Sequence, residues 1–130
     1  MQRLSSDQLE RLAKRHHDFN DSLIRRVEFR FLSGVPGRHA SVVLEVQDRE
    51  SKDGWGEIYF EFHGVTDFSL LEDKTTNVVL SSGIVWTLGP NLVVADFSPM
   101  HADDQRSTFL ISARAGWFLN SADALKLPRL

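Results

Sequence analysis

Residues 57–63 read Glu57-Ile58-Tyr59-Phe60-Glu61-Phe62-His63. Ile58, Phe60 and Phe62 alternate with Glu57, Tyr59, Glu61 and His63. That is the period of two expected of a strand with one face in a core and the other toward water. The same period runs through the sequence before it. Ala40, Val42, Leu44 and Val46 alternate with Ser41, Glu45 and Gln47. Earlier still, Leu23, Val27, Phe29 and Phe31 share a face opposite Arg26, Glu28 and Arg30. Turn signals separate these runs: Gly34-Val35-Pro36-Gly37 between the first two, and a polar loop from Asp48 to Gly54 before the third.

Toward the C-terminus the runs are shorter. Phe68 to Leu71 and Asn77 to Leu80 read as short strands around Asp73-Lys74. Ser81-Ser82-Gly83 turns into Ile84 to Leu88, and Gly89-Pro90-Asn91 turns into Leu92 to Phe97. The latter is apolar on both sides, as a central strand is. Ser98-Pro99 has the form of an N-cap and N1 pair opening a helical turn through Asp103-Asp104. From Thr108 to Phe118, the residues Phe109, Ile111, Ala113, Ala115 and Trp117 fall on one face, and the tail from Ser121 offers Leu125, Leu127 and Leu130 for docking.

Before the strands the period is close to four. Leu9, Leu12, Ala13 and His16 share one helical face. Ser5 as N-cap puts Gln8 at the capping-box position and Leu4 and Leu9 in a hydrophobic staple. Acid comes early (Asp7, Glu10) and base late (Lys14, Arg15), as the helix dipole favours, and Asn20-Asp21 ends the element. About seven strands joined by short turns must pair antiparallel, because parallel pairs need crossovers of a dozen or more residues. The predicted fold is α+β and mostly β. An N-terminal helix over about 5–18 packs on a curved antiparallel meander sheet, or on a partly open barrel or sandwich, with strands over about 22–118.

Composition narrows the function classes. The 130 residues suit a single domain spanning 1–130; 42% are apolar and 25% charged, the balance of a globular protein. Lys+Arg at 15 against Asp+Glu at 18 gives 15 − 18 = −3, so no basic excess points to nucleic acid. The absence of cysteine excludes disulfides, thiolate metal sites and a cysteine nucleophile. Met1 to His17 carry no apolar stretch of a signal peptide, and no apolar run reaches the length of a membrane helix. A cytoplasmic location without membrane partner is the expectation.

Three constellations could carry chemistry. On the polar side of the 57–63 strand, Glu57, Tyr59, Glu61 and His63 line up at ~6.5–7 Å steps. Glu61 and His63 could ligate a divalent metal, or Glu61 could orient His63 as a general base. Outweighing both is a solvated face whose glutamates pair with Arg26 and Arg30 on a neighbouring strand. Asp96 ends an apolar strand on the side of Leu92 and Val94, where a carboxylate needs a partner. It could join His101, Asp103 and Asp104 around a metal, but the spacing is not that of a calcium loop, and capping the turn after Ser98 is simpler. Among the tryptophans, Trp86 and Trp117 fit apolar faces. Trp55, between Gly54 and Gly56, either stands exposed as an interface anchor or folds over the end of the sheet.

The remaining histidines form no HxH or HExxH pattern. His16 and His17 sit at a helix C-terminus, where positive charge is welcome, and His39 and His101 are lone loop residues. There is no G-x-S-x-G, P-loop or G-x-G-x-x-G, and no cofactor is expected.

The stretch Glu61-Phe62-His63-Gly64-Val65-Thr66-Asp67-Phe68, then Ser82-Gly83-Ile84, then Val94-Ala95-Asp96-Phe97, resembles small β-rich domains among bacterial polymorphic-toxin immunity proteins and their uncharacterised relatives. Those domains run a strand into an FxGV-x-x-F turn and end a later strand in Asp. The resemblance covers the central half of the chain. It implies a protein without catalysis that binds and neutralises a toxin, using an acidic surface for complementarity. The balance of motifs therefore favours a protein-binding module whose candidate surface comprises Trp55, Glu57, Tyr59, Glu61, His63 and Asp96. Open sheet edges also admit a homodimer. Two alternatives are a carrier whose nine phenylalanines line an apolar barrel, and a metal-assisted hydrolase using Glu57, Glu61 and His63.

Overall fold

Ser5 is extended and its hydroxyl accepts the Gln8 N–H at 3.3 Å, so helix α1 (Ser6–Arg15) starts at the predicted cap. Leu9 and Leu12 are its buried face. The helix stops before residue 18 because the chain turns left-handed: His17, Asp18, Phe19 and Asp21 all have positive φ, in and just after a 3₁₀ turn at His17–Phe19. This sharp link drives Phe19 into the core and leaves His16 fully buried, its Nδ1–H donating to the Gln47 carbonyl at 2.9 Å. Burial lowers the His16 pKa from its ordinary value. His16 is a core residue, not the charge at a helix end that the sequence suggested.

A computed structural model describes residues 1–31, 37–70, 79–80, 82–97 and 109–120. Outside these lie Gly34-Val35-Pro36, the segment around Asp73-Lys74, the helical turn from Ser98 with His101, Asp103 and Asp104, and the tail with Leu125, Leu127 and Leu130. The strands are β1 (Gln2–Arg3), β2 (Ser22–Phe31), β3 (Arg38–Gln47), β4 (Trp55–Leu70), β5 (Val79–Leu80), β6 (Val85–Gly89), β7 (Leu92–Asp96) and β8 (Phe109–Asn120). All pairs are antiparallel, in the order β5-β2-β3-β4-β8-β7-β6, with β1 added to β8 through Gln2↔Phe118 and Arg3↔Trp117. The predicted mostly β fold with one helix holds, and the sheet stays open rather than closing into a barrel. Two meanders, β2-β3-β4 and β6-β7-β8, join where β4 lies beside β8.

The inner face carries Val42, Leu44, Val46, Ile58, Phe60 and Phe62, all without exposure, packed with Leu4, Leu9, Leu12 and Phe19. Trp86 folds over this layer, its ring centroid 5.1 Å from Phe60 and 6.4 Å from Phe97. Phenylalanines therefore meet ring to ring instead of lining a barrel. Gly83 at φ 71 closes the link into β6: a Cβ there would stand 2.2 Å from the Asp18 carbonyl oxygen.

Two elements differ from their sequence pattern. β4 does not turn after His63 but continues to Leu70 through a bulge between Val65 and Asp67. Gly64, at φ 67, makes that continuation possible: the buried phase passes from Phe62 to Val65 on β4 and from Gly116 to Ala113 on β8. The phase change carries Trp117 out of the Ile111–Ala113 core face and onto the opposite one, correcting its assignment as core. β7 does lie between two strands, but only Val93 and Ala95 are buried, while Leu92 is exposed. Asp96 shares the less buried side of β7 and is not forced into the core.

Candidate functional site

β3 separates β2 from β4, so Arg26 and Arg30 do not face the β4 glutamates as expected. Their direct partners are Val43 and His39 on β3, and the ion pair between these strands joins Arg25 to Glu45. What faces β4 is the outer side of β3. His39 pairs with His63, Ser41 with Glu61 and Val43 with Tyr59. On the far side, β8 places Trp117 opposite Glu61 and Leu119 opposite Tyr59.

These registers build a connected polar group. Glu61 is its centre. Its Oε2 accepts the Tyr59 hydroxyl at 2.8 Å and its Oε1 accepts His63 Nε2–H at 2.5 Å. Because a carboxylate can only accept, the His63 proton toward Glu61 sits on Nε2. The His39 and His63 rings stack at 3.9 Å with 10° between planes, and Trp117 covers His63 at 4.3 Å. Arg3, from β1, lies over Trp117 at 6.0 Å.

Burial and hydrogen bonding set the charges. Burial raises the Glu61 carboxyl, but the bonds from His63 and Tyr59 outweigh it and hold the pKa below the ordinary value. Burial, reinforced by the bond to Glu61, pushes the Tyr59 phenol up to about 12, so it stays protonated and donating. Burial and the neighbouring His63 both lower His39. The group is thus an ionised carboxylate, held at both oxygens, beside two imidazoles.

Of the predicted site residues, Tyr59, Glu61 and His63 are brought together. Glu57 stands two residues beyond Tyr59 opposite Glu45 and is not one of the converging residues. Trp55 is 41% exposed at the same end of β4, and its backbone N–H donates to Asp53 Oδ1 at 3.1 Å. Asp96 lies on β7 between Val85 and Leu110, away from the β3–β4 register that makes the group. His39 corrects the sequence reading most: it is a strand residue, and its imidazole, the Glu61 carboxylate and the His63 imidazole offer three ligand-type atoms all within 4.8 Å of one another. Extending the alternation of Ser41 and Val43 back by one step would have placed His39 on this face.

Among the described residues, no helix is long and apolar enough to cross a membrane. Comparison with known proteins yields no match, whether to a family model, a curated protein or a solved structure. The likeness to immunity proteins therefore stands on its sequence pattern alone.

Proposed function

We propose that the chain is a cytoplasmic protein-binding module that works through the outer face of the sheet. One observation carries this: the division of aromatic types between the two faces. Phenylalanines Phe19, Phe60, Phe62 and Phe97 are on the inner side, fully buried. Two of the three tryptophans, Trp55 and Trp117, fall on the outer side with Arg3 and Arg30, and the only tyrosine, Tyr59, lies on that side with 8% of its surface exposed. Tyr, Trp and Arg are the residue types that dominate binding hot spots, since each combines a large rigid contact area with a polar group. A toxin-neutralising role, as the resemblance implies, is the narrower form of this proposal, with a toxin domain as the partner. A second copy of the chain is the other partner the face would accept.

Affinity purification of the tagged chain from its own cells, compared with a Trp55→Ala/Trp117→Ala variant, tests the proposal. A stoichiometric protein partner is expected, with affinity for the purified double variant weakened about tenfold or more. An unchanged affinity in the double variant, with its circular dichroism intact, overturns the assignment of this face. Sedimentation of the chain alone shows whether that partner is a second copy.

A further inference from the structure

The geometry points to a divalent transition-metal site formed by His39, Glu61 and His63, independent of the protein-binding role. Two imidazoles and one carboxylate are the donor set that suits Zn²⁺ and its first-row neighbours rather than Ca²⁺ or Mg²⁺, which select all-oxygen shells. The spacing also fits. Ligand atoms about 2.1 Å from a tetrahedral ion stand about 3.4 Å from each other. Here the three candidate atoms already lie within 4.8 Å, so rotation of two side chains on a fixed backbone closes the remainder. Strand register supplies that fixed backbone: His39 and His63 are direct cross-strand partners, and Glu61 is two residues from His63 on the same face.

The surroundings resemble the support a ligand shell needs. Tyr59 holds Glu61 Oε2, which aims Oε1 toward the imidazoles and leaves it free to trade its bond with His63 for a bond to the ion. On binding, the proton on His63 Nε2 is relocated to Nδ1 and the nitrogen lone pair takes its place toward the ion. Imidazole lone pairs lie in the ring plane, so the two stacked rings, now 10° from parallel, must turn about their side-chain torsions before both address one ion, and their 3.9 Å separation keeps that movement small. Trp117 and Tyr59 wall the group, yet the His63 side chain keeps 35% of its surface exposed. Three protein ligands on an accessible face leave a coordination position for water or an outside ligand.

The full-length protein, stripped of metal, is titrated with Co²⁺ and the visible d–d absorption followed, with Zn²⁺ added afterwards as competitor. One saturable equivalent is expected, displaced by Zn²⁺. His39→Ala and Glu61→Gln should each weaken it tenfold or more, and Tyr59→Phe should weaken it less. His17→Ala, remote on the helix link, should leave it unchanged. The same proteins are melted with and without Zn²⁺: the wild-type Tm rises and that of His39→Ala does not. His39 lies half-buried on the outer face, so this variant keeps the core and decides the matter even where Glu61→Gln fails to fold. Absence of a saturable equivalent, or binding indifferent to His39→Ala, overturns the site.

Discussion

Phe60→Ala is expected to remove about 4 kcal/mol from the unfolding free energy, which urea denaturation would read as a lower midpoint at an unchanged slope. Phe60 has no exposure, and its ring meets three others: Trp86 at 5.1 Å, Phe19 at 5.9 Å and Phe62 at 6.4 Å. Those contacts join three separate parts of the fold. Phe19 belongs to the left-handed link after α1, Trp86 to β6 near one edge of the sheet, and Phe62 to the centre of β4. The cavity left by alanine is walled by aromatic rings whose own backbones are held by strand pairing, so collapse cannot fill it. Loss of transfer energy and loss of packing then add. Phe31→Ala provides the contrast. Phe31 is 75% exposed at the end of β2, and its removal should cost less than about 0.5 kcal/mol. A Phe60→Ala cost below about 1 kcal/mol would mean that the three aromatic contacts do not couple the helix link to the sheet.

What could be read from the chain alone follows from how local each signal is. Ser5 and Gln8 lie three residues apart, and their capping geometry is a property of that segment, so it appeared as expected. Alternation at 57–63 and 40–46 is equally local, and it gave the inner and outer faces of β3 and β4 correctly. The order of strands is not local. Periodicity does not supply it, but the meander that short turns predict puts β3 between β2 and β4, and pairing Arg26 and Arg30 with the β4 glutamates conflicts with that order. The same limit hid His39, whose meeting with His63 depends on the β3–β4 register. At Gly64 a local signal was present but ambiguous: glycine with positive φ serves a turn or a bulge, and only the pairing with β8 selects the bulge. That selection also decides the place of Trp117, which a strict period of two from Phe109 sends to the core. His16 shows the opposite failure. Its position on the apolar helical face was correctly read, but the dipole at the helix end suggested a charge where tertiary burial enforces a neutral ring.

Asp48→Asn is expected to cost about 2 kcal/mol at neutral pH and to flatten the acid limb of the stability profile. Asp48 is 2% exposed and accepts Arg15 Nε–H at 2.8 Å and Arg15 Nη2–H at 3.0 Å, a fork across the junction of α1 and the β3–β4 loop. Its Oδ1 also accepts the Glu50 N–H at 3.0 Å, and its own N–H donates to the Gly54 carbonyl at 2.8 Å. Arg15 keeps 27% of its side-chain surface exposed, so water can resolvate it when the carboxylate is lost, and the cost falls below that of a fully buried pair. The hydrogen bond from Arg15, against the effect of burial, holds Asp48 below its ordinary 3.8. Stability from this pair is therefore complete above 3.8 and is lost as pH falls through the folded value. His16, lowered by burial from 6.5, acts at higher pH: its contribution is intact above 6.5 and is lost as pH falls below that toward its folded value. Wild-type urea midpoints should then decline in two stages on acidification. Asp48→Asn should deepen the upper stage, because the Asp48 charge partly offsets the burial that lowers His16, and shrink the lower one, with Glu61 and Asp53, also held below their ordinary values, supplying what remains. The loop that Asp48 anchors ends in Asp53, which holds the Trp55 N–H. Partner binding by the variant should accordingly weaken wherever Trp55 contributes, linking the stability of the α1 junction to the outer face of the sheet. A lower stage unchanged in Asp48→Asn would mean that Arg15 and Asp48 are no more coupled in the folded chain than in the unfolded one.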